Sequence, residues 1–264
     1  MISRATVERG RAVLSWGQPT APWARLTAAR RTRRDRVNIG MIVLAGGIGK
    51  RIGRPFPKQF LLLGGKPLII HVLEKARSIS DIDHVVITCP EAHLDETRQL
   101  IDNHGFDDRF SCIVGGSSRQ ESVYLGLGAL QDAESVIIHE AVRPLVTADE
   151  FRTLIAAPDP NAMFGIAIPF TVLKGRDFVE ELLERDELVN VQLPQKFDRA
   201  LLLAAHEAAR AAGTNFTEDA SLFHEYAGAP VRILPGSERN IKITVPTDVV
   251  TAEAIYADVI GRGG

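Results

Sequence analysis

Four short stretches of the chain carry residue types suited to chemistry on phosphates. The first is Leu44-Ala45-Gly46-Gly47-Ile48-Gly49-Lys50-Arg51, followed by Pro57-Lys58-Gln59. A glycine-rich turn after an apolar run lets backbone N–H groups approach phosphate oxygens closely. Arg51 and Lys58 add fixed positive charge where a triphosphate would lie. The spacing is neither GxxxxGK[ST] nor GxGxxG, which sets aside the two commonest phosphate-binding fingerprints. In-line nucleotidyl transfer needs such help, because charge builds on the α-phosphate and on the departing pyrophosphate.

The second stretch is Gly115-Gly116-Ser117-Ser118-Arg119-Gln120-Glu121-Ser122-Val123. Two glycines admit a flat base, and Arg119 and Ser122 can read polar groups of a base or ribose. Taken alone, the same residues also read as a helix start capped by Ser117 or Ser118. The third is His139-Glu140-Ala141-Val142-Arg143-Pro144. Glu140 could hold Mg²⁺ together with substrate phosphates, or a ribose hydroxyl; a surface ion pair with Arg143 is the plain alternative. His139 is assigned no role. The fourth is Asn240-Ile241-Lys242-Ile243-Thr244. A lysine inside an apolar strand is costly unless it meets an anion. Alternation puts Ile241 and Ile243 on one face and Lys242 on the other. An exposed lysine on a half-solvated strand fits the pattern too.

The elements that must position these residues alternate. Strands are expected at Met41–Leu44, His84–Thr88, Ser111–Val114 and Ser135–His139, with helices at Leu68–Ser78, Leu94–His104 and Gln120–Leu130. This βαβ rhythm implies a mostly parallel sheet with helices on both faces. Ligands of such sheets bind beyond the carboxyl ends of the strands, where the first three stretches begin. After Ala157 the rhythm changes. Strands at Ala167–Leu173 and Leu188–Gln192 bracket a charged excursion, which predicts a projecting β-arm at about 168–192. A helix at Ala200–Ala212, strands at Val231–Leu234 and Ile241–Thr244, and a closing helix at Thr247–Ile260 with Thr247 as N-cap complete the expectation.

Composition bounds the rest. The chain has 264 residues, 45% apolar and 24% charged, which excludes a disordered chain, a collagen-like fibre and a coiled coil. No apolar run approaches the ~20 residues of a membrane span. Two cysteines, Cys89 and Cys112, make no disulfide framework, so a reducing, cytoplasmic setting is expected. The net charge of -2 hides an asymmetry: residues 1–36 hold nine arginines against only Glu8 and Asp35. That segment reads as an unstructured extension, with a plastid-type targeting peptide or a nucleic-acid arm as alternatives. The domain is expected over 37–264.

Together the four stretches, with Pro194-Gln195 and Thr217-Glu218-Asp219-Ala220-Ser221, resemble the 2-C-methyl-D-erythritol 4-phosphate cytidylyltransferase family, from about Val37 to Ile260. The resemblance implies a Rossmann-like fold of the nucleotide-diphospho-sugar transferase type. It also implies CTP and a polyol phosphate as substrates, Mg²⁺ as cofactor, and a homodimer formed through the arm. By the same resemblance, Arg51, Lys58 and Lys242 are catalytic cations. Ala45, Gly46, Gly47, Gly49, Gly116, Arg119, Ser122, Glu140 and Ala141 surround the nucleotide. Arg143, Thr171, Lys174 and Arg185 meet the acceptor, and Glu140 is the candidate metal contact. Three positions depart from the family pattern: Glu140 replaces an aspartate, Phe170 precedes Thr171 in place of an aspartate, and Leu193 replaces a threonine before Pro-Gln. Ribitol 5-phosphate or a phosphonate is the alternative acceptor, and a non-catalytic nucleotide-binding module is the alternative from another class.

Overall fold

The apolar run at Ile39–Leu44 forms β1, buried at every position. Met41 and Val43 face one core cluster, while Ile42 and Leu44 face a second. Burial on both faces is why the run lacks polar alternation. The computed structural model describes residues 37–47 and 57–262. Gly49, Arg51 and the segment 1–36 lie outside the described residues.

Around β1 lie β4 (Ile82–Cys89) and β6 (Ser135–Glu140), both parallel to it, and β5 (Phe110–Val114) continues the sheet beyond β4. On the other side β10 (Val189–Asp198) runs antiparallel between β6 and β7 (Ala162–Ala167), and β11 (Arg232–Pro235) closes the edge. The seven-stranded order is β11-β7-β10-β6-β1-β4-β5. Helices α1 (Leu68–Arg77), α2 (Leu94–Asn103) and α4 (Ala148–Ala156) pack on one face. Helices α3 (Arg119–Ala129), α5 (Arg199–Ala211) and α6 (Asp219–Ala227) pack on the other. The chain leaves β1 toward β4 and β5, then returns to β6 on the opposite side. The crevice between the β1 and β6 ends is therefore the topological switch point.

Several expectations change. Ile241–Thr244 is not a strand. Both edges of β6 are taken, by β1 and β10, so no ladder is open to this segment. Its backbone bonds are instead Ile241 N–H to Arg239 O and Ile243 N–H to Val142 O, each 2.9 Å. The strand expected at Ala167–Leu173 ends at Ala167, ahead of Pro169, which lacks the N–H a ladder requires. β10 runs on through Pro194 because its register shifts between Gln192 and Gln195. The closing helix α7 (Pro246–Arg262) begins at Pro246, not after a Thr247 cap. Asp248 Oδ2 instead accepts from the N–H groups of Thr244 and Val245 at 2.6 and 2.8 Å.

Two small hairpins flank the main sheet. β2 (Leu62–Leu63) and β3 (Lys66–Pro67) pair across Gly64 and Gly65, whose φ values of 54° and 78° require glycine. β8 (Val172–Gly175) and β9 (Val179–Leu183) form a separate antiparallel pair inside the stretch 168–192.

Candidate active site

Glu140 ends β6 and is almost fully buried. Its register partner is Leu44, so it faces the side covered by α3, α5 and α6. Three cations converge on it. Lys242 Nζ donates to Oε1 at 2.8 Å, Arg143 Nε to Oε2 at 3.3 Å, and Arg119 Nε lies 3.7 Å from Oε1. Burial alone would raise the carboxyl pKa, but Lys242, Arg119 and Arg143 outweigh it and hold it below the usual range. The Glu140–Arg143 pair is thus present, but in the interior rather than on the surface.

Lys242 reaches Glu140 because its neighbours turn inward. Ile243 is buried with Leu63 and Leu68 beneath α7. The backbone of Thr244 meets the other expected cation: Lys58 Nζ donates to Thr244 O at 2.7 Å. Lys58 sits in a short 3₁₀ turn, Lys58–Phe60, and its N–H bonds Gly47 O at 3.1 Å. Residues 184 positions apart, Lys58 and Lys242, therefore share one strip at the end of β1 and β6. Ala45 and Ala141 are buried in the ladder: Ala45 N–H meets Thr88 O, and Ala141 N–H meets Leu44 O. Gly46 and Gly47 are exposed.

The second stretch is a helix start. Ser118 caps α3 by accepting from Glu121 N–H at 3.1 Å. Ser122 Oγ donates to Ser118 O and accepts from Gly116 N–H, so it holds the glycine turn in place. A Cβ on Gly116 would overlap the Glu121 side chain.

Arg119 carries more acid than the four stretches suggested. Its Nη1 meets Asp219 Oδ2 at 2.7 Å, and its Nη2 lies 3.6 Å from Glu218 Oε1. Burial opposes the Arg119 charge, but Asp219, Glu218 and Glu140 outweigh it and raise its pKa further. Asp219 is fully buried; burial pushes its carboxyl up, yet Arg119 and His206 hold it low. Burial keeps the Glu218 carboxyl above the usual range. Glu218 and Asp219 cap and open α6, a helix absent from the sequence expectation. Their signal was present in Thr217-Glu218-Asp219, but no chemistry was attached to it. Gln120 brings that loop to α3: its Oε1 accepts from Phe216 N–H at 2.7 Å and its Nε2 donates to Thr214 O.

The expected acceptor residues divide. Arg143 joins the cluster and also donates to Asn240 O at 3.0 Å. Thr171, Lys174 and Arg185 are exposed on or beside the β8–β9 hairpin. Lys174 pairs with Glu181 and Arg185 with Asp186, so both are engaged within their own arm. Among the described residues no group of His, Cys, Asp or Glu is gathered to hold a metal. Both Glu140 oxygens meet cations, Lys242 at Oε1 and Arg143 at Oε2.

The family model described as 2-C-methyl-D-erythritol 4-phosphate cytidylyltransferase matches residues 39–258. A protein of that name from Geobacillus thermodenitrificans is 39% identical over 232 residues, 86% of this chain and 100% of its own length. A ribitol-5-phosphate cytidylyltransferase from Lactiplantibacillus plantarum is 33% identical, covering 81% of this chain and 96% of that one. The crystal structure of 4-diphosphocytidyl-2C-methyl-D-erythritol synthase from Anaerococcus prevotii superposes with a TM-score of 0.75. It is 26% identical, over 84% of this chain and 97% of that one.

Proposed function

This chain belongs to the 2-C-methyl-D-erythritol 4-phosphate cytidylyltransferase family, and we propose that the cluster of Lys58, Arg119, Glu140 and Lys242 carries the family's reaction. CMP passes from CTP to the phosphate of 2-C-methyl-D-erythritol 4-phosphate, forming a CDP-polyol for isoprenoid precursor synthesis and releasing pyrophosphate. An acceptor phosphate oxygen forms the new bond to the α-phosphorus as the bond to the β,γ-pyrophosphate breaks. No side chain acts as nucleophile. The protein contributes position and charge.

The observation that carries this reading is the convergence of Lys58 and Lys242 on one strip beside Glu140. Lys242, Arg119 and Arg143 face three carboxylates there, Glu140, Glu218 and Asp219. An incoming triphosphate replaces internal partners of Lys58 and Lys242 with its own oxygens. Arg51 and Gly49 complete the phosphate cradle in this reading, and a divalent cation arrives on CTP as part of the substrate. Thr171, Lys174 and Arg185 serve the acceptor. The arm exposes Phe170, Leu173, Phe178, Val179 and Leu182, which supports a homodimer formed through it. Free, buried Cys89 and Cys112 support a reducing, cytoplasmic setting.

A second reading keeps the chemistry and changes the acceptor to ribitol 5-phosphate. Phe170, 75% exposed where the family has an acid, and the Lactiplantibacillus relative favour it. Phosphorus-31 NMR of CTP, Mg²⁺ and each acceptor with the purified chain separates the two. A new diphosphate linkage with methylerythritol phosphate is the expected result. A linkage with ribitol phosphate alone moves the acceptor, and none with either sinks the transferase reading.

A further inference from the structure

Arg119 is held by one close contact, and its other two ion pairs are long. Its Nη1 meets Asp219 at 2.7 Å, while its Nε and Nη2 are buried with no hydrogen-bond partner. Glu140 and Glu218 lie near these two nitrogens, at 3.7 and 3.6 Å, too far to bond well. Buried donors left unmade are costly, and guanidinium donors more than most. They are retained where a ligand supplies the acceptor.

What keeps Arg119 in that pose lies one layer deeper. Asp219 Oδ1 faces His206 Nε2 at 3.5 Å, and His206 is 0% exposed. At 3.5 Å this is a polar contact rather than a made hydrogen bond, and neither ring nitrogen of His206 has a hydrogen-bond partner. His206 stands on α5, Asp219 on α6 and Arg119 on α3, so the chain of contacts ties together all three helices of one face.

We propose that His206 and Asp219 are positioning residues for nucleotide recognition: His206 orients Asp219, which aims the free Nε and Nη2 donors of Arg119 at acceptor atoms of the bound cytidine nucleotide. The inference rests on the transferase reading. It assigns neither residue a contact with substrate.

The test is calorimetric binding of CTP, with steady-state kinetics, on the full chain and three variants. His206→Leu removes the ring donor. His206→Gln retains an amide donor that can reach Asp219. Asp219→Asn keeps the shape and loses the charge. For His206→Leu and Asp219→Asn, the CTP dissociation constant and KM for CTP should rise about tenfold or more, with KM for the acceptor unchanged. His206→Gln should restore most of the affinity. Should His206→Leu fail to fold, Asp219→Asn gives the same readout. Unchanged CTP affinity in Asp219→Asn or His206→Leu overturns the proposal while leaving the transferase reading intact. Equal loss for both substrates also overturns it, since that marks a merely structural role. Failure of the unsubstituted chain to bind CTP removes the transferase reading and the proposal with it.

Discussion

At Glu140 two effects oppose each other, and charge wins over burial. The carboxyl stays ionised because Lys242 and Arg143 bond it and Arg119 stands near. His139, its neighbour in β6, shows the reverse. It is fully buried against Phe151 with one bond, to Arg143 O at 3.2 Å. Burial pushes its pKa down to about 3, so it stays neutral across the working range. The sign of the linkage follows. Below about pH 6.5 the unfolded chain binds a proton here that the native chain refuses, so stability falls as pH drops from 6.5 toward 3. His139→Gln removes this term and should flatten the pH dependence of the urea midpoint over that window; an unchanged slope contradicts it. At this scale the chemistry was legible in residue type. Lys58, Arg119, Glu140 and Lys242 stood out as charges beside glycines or inside apolar runs. Glu218, Asp219 and His206 did not, because polar residues at a helix start or on an alanine-rich helix read as solvated until the fold buries them.

Elements decide how those charges meet. The strip carrying Lys242 and Thr244 lies over Leu63 and Leu68 and under α7, so the β2–β3 hairpin indirectly positions it. Gly64 lets that hairpin turn with φ of 54°, and a Cβ there would overlap the Tyr256 ring of α7. Gly64→Ala should therefore cost about 1–3 kcal/mol of stability and lower kcat as well, read by urea unfolding and steady-state rates. Lost stability with full kcat would detach the hairpin from the site. The parallel half of the sheet was legible, because β1, β4, β5 and β6 are short runs rich in apolar and β-branched residues. The rest was obscured by tertiary context. Pro194 reads as a strand stop, yet a register shift carries β10 past it. Ile241–Thr244 reads as a strand, yet no sheet edge is free to receive it. The Thr147–Glu150 capping box that starts α4 was in the sequence and would have revealed that helix.

Across the whole molecule, the described site is built from residues 45–47, 58, 115–122, 139–144, 218–219 and 240–244, all within the residues matched by the family model. Residues 1–36 lie outside the described residues and outside the family match. Deleting them should leave kcat/KM for CTP unchanged, and a large loss would give the arginine-rich segment a role in turnover. The arm has its own test. Phe178 is 85% exposed, and for the homodimer proposed above Phe178→Asp should shift the mass measured by light scattering from dimer to monomer; an unshifted dimer would remove the arm from the interface, and a monomeric unsubstituted chain would remove the dimer.

The central claim is that Lys58 and Lys242 stabilise charge in transfer rather than hold the fold. Pyrophosphate release from CTP and methylerythritol phosphate, measured for Lys58→Ala and Lys242→Ala beside their melting temperatures, tests it directly. The account predicts a fall in kcat of about 10²-fold or more with melting temperatures close to that of the unsubstituted chain. Near-normal turnover, or a loss of activity matched by a loss of melting temperature, would contradict it.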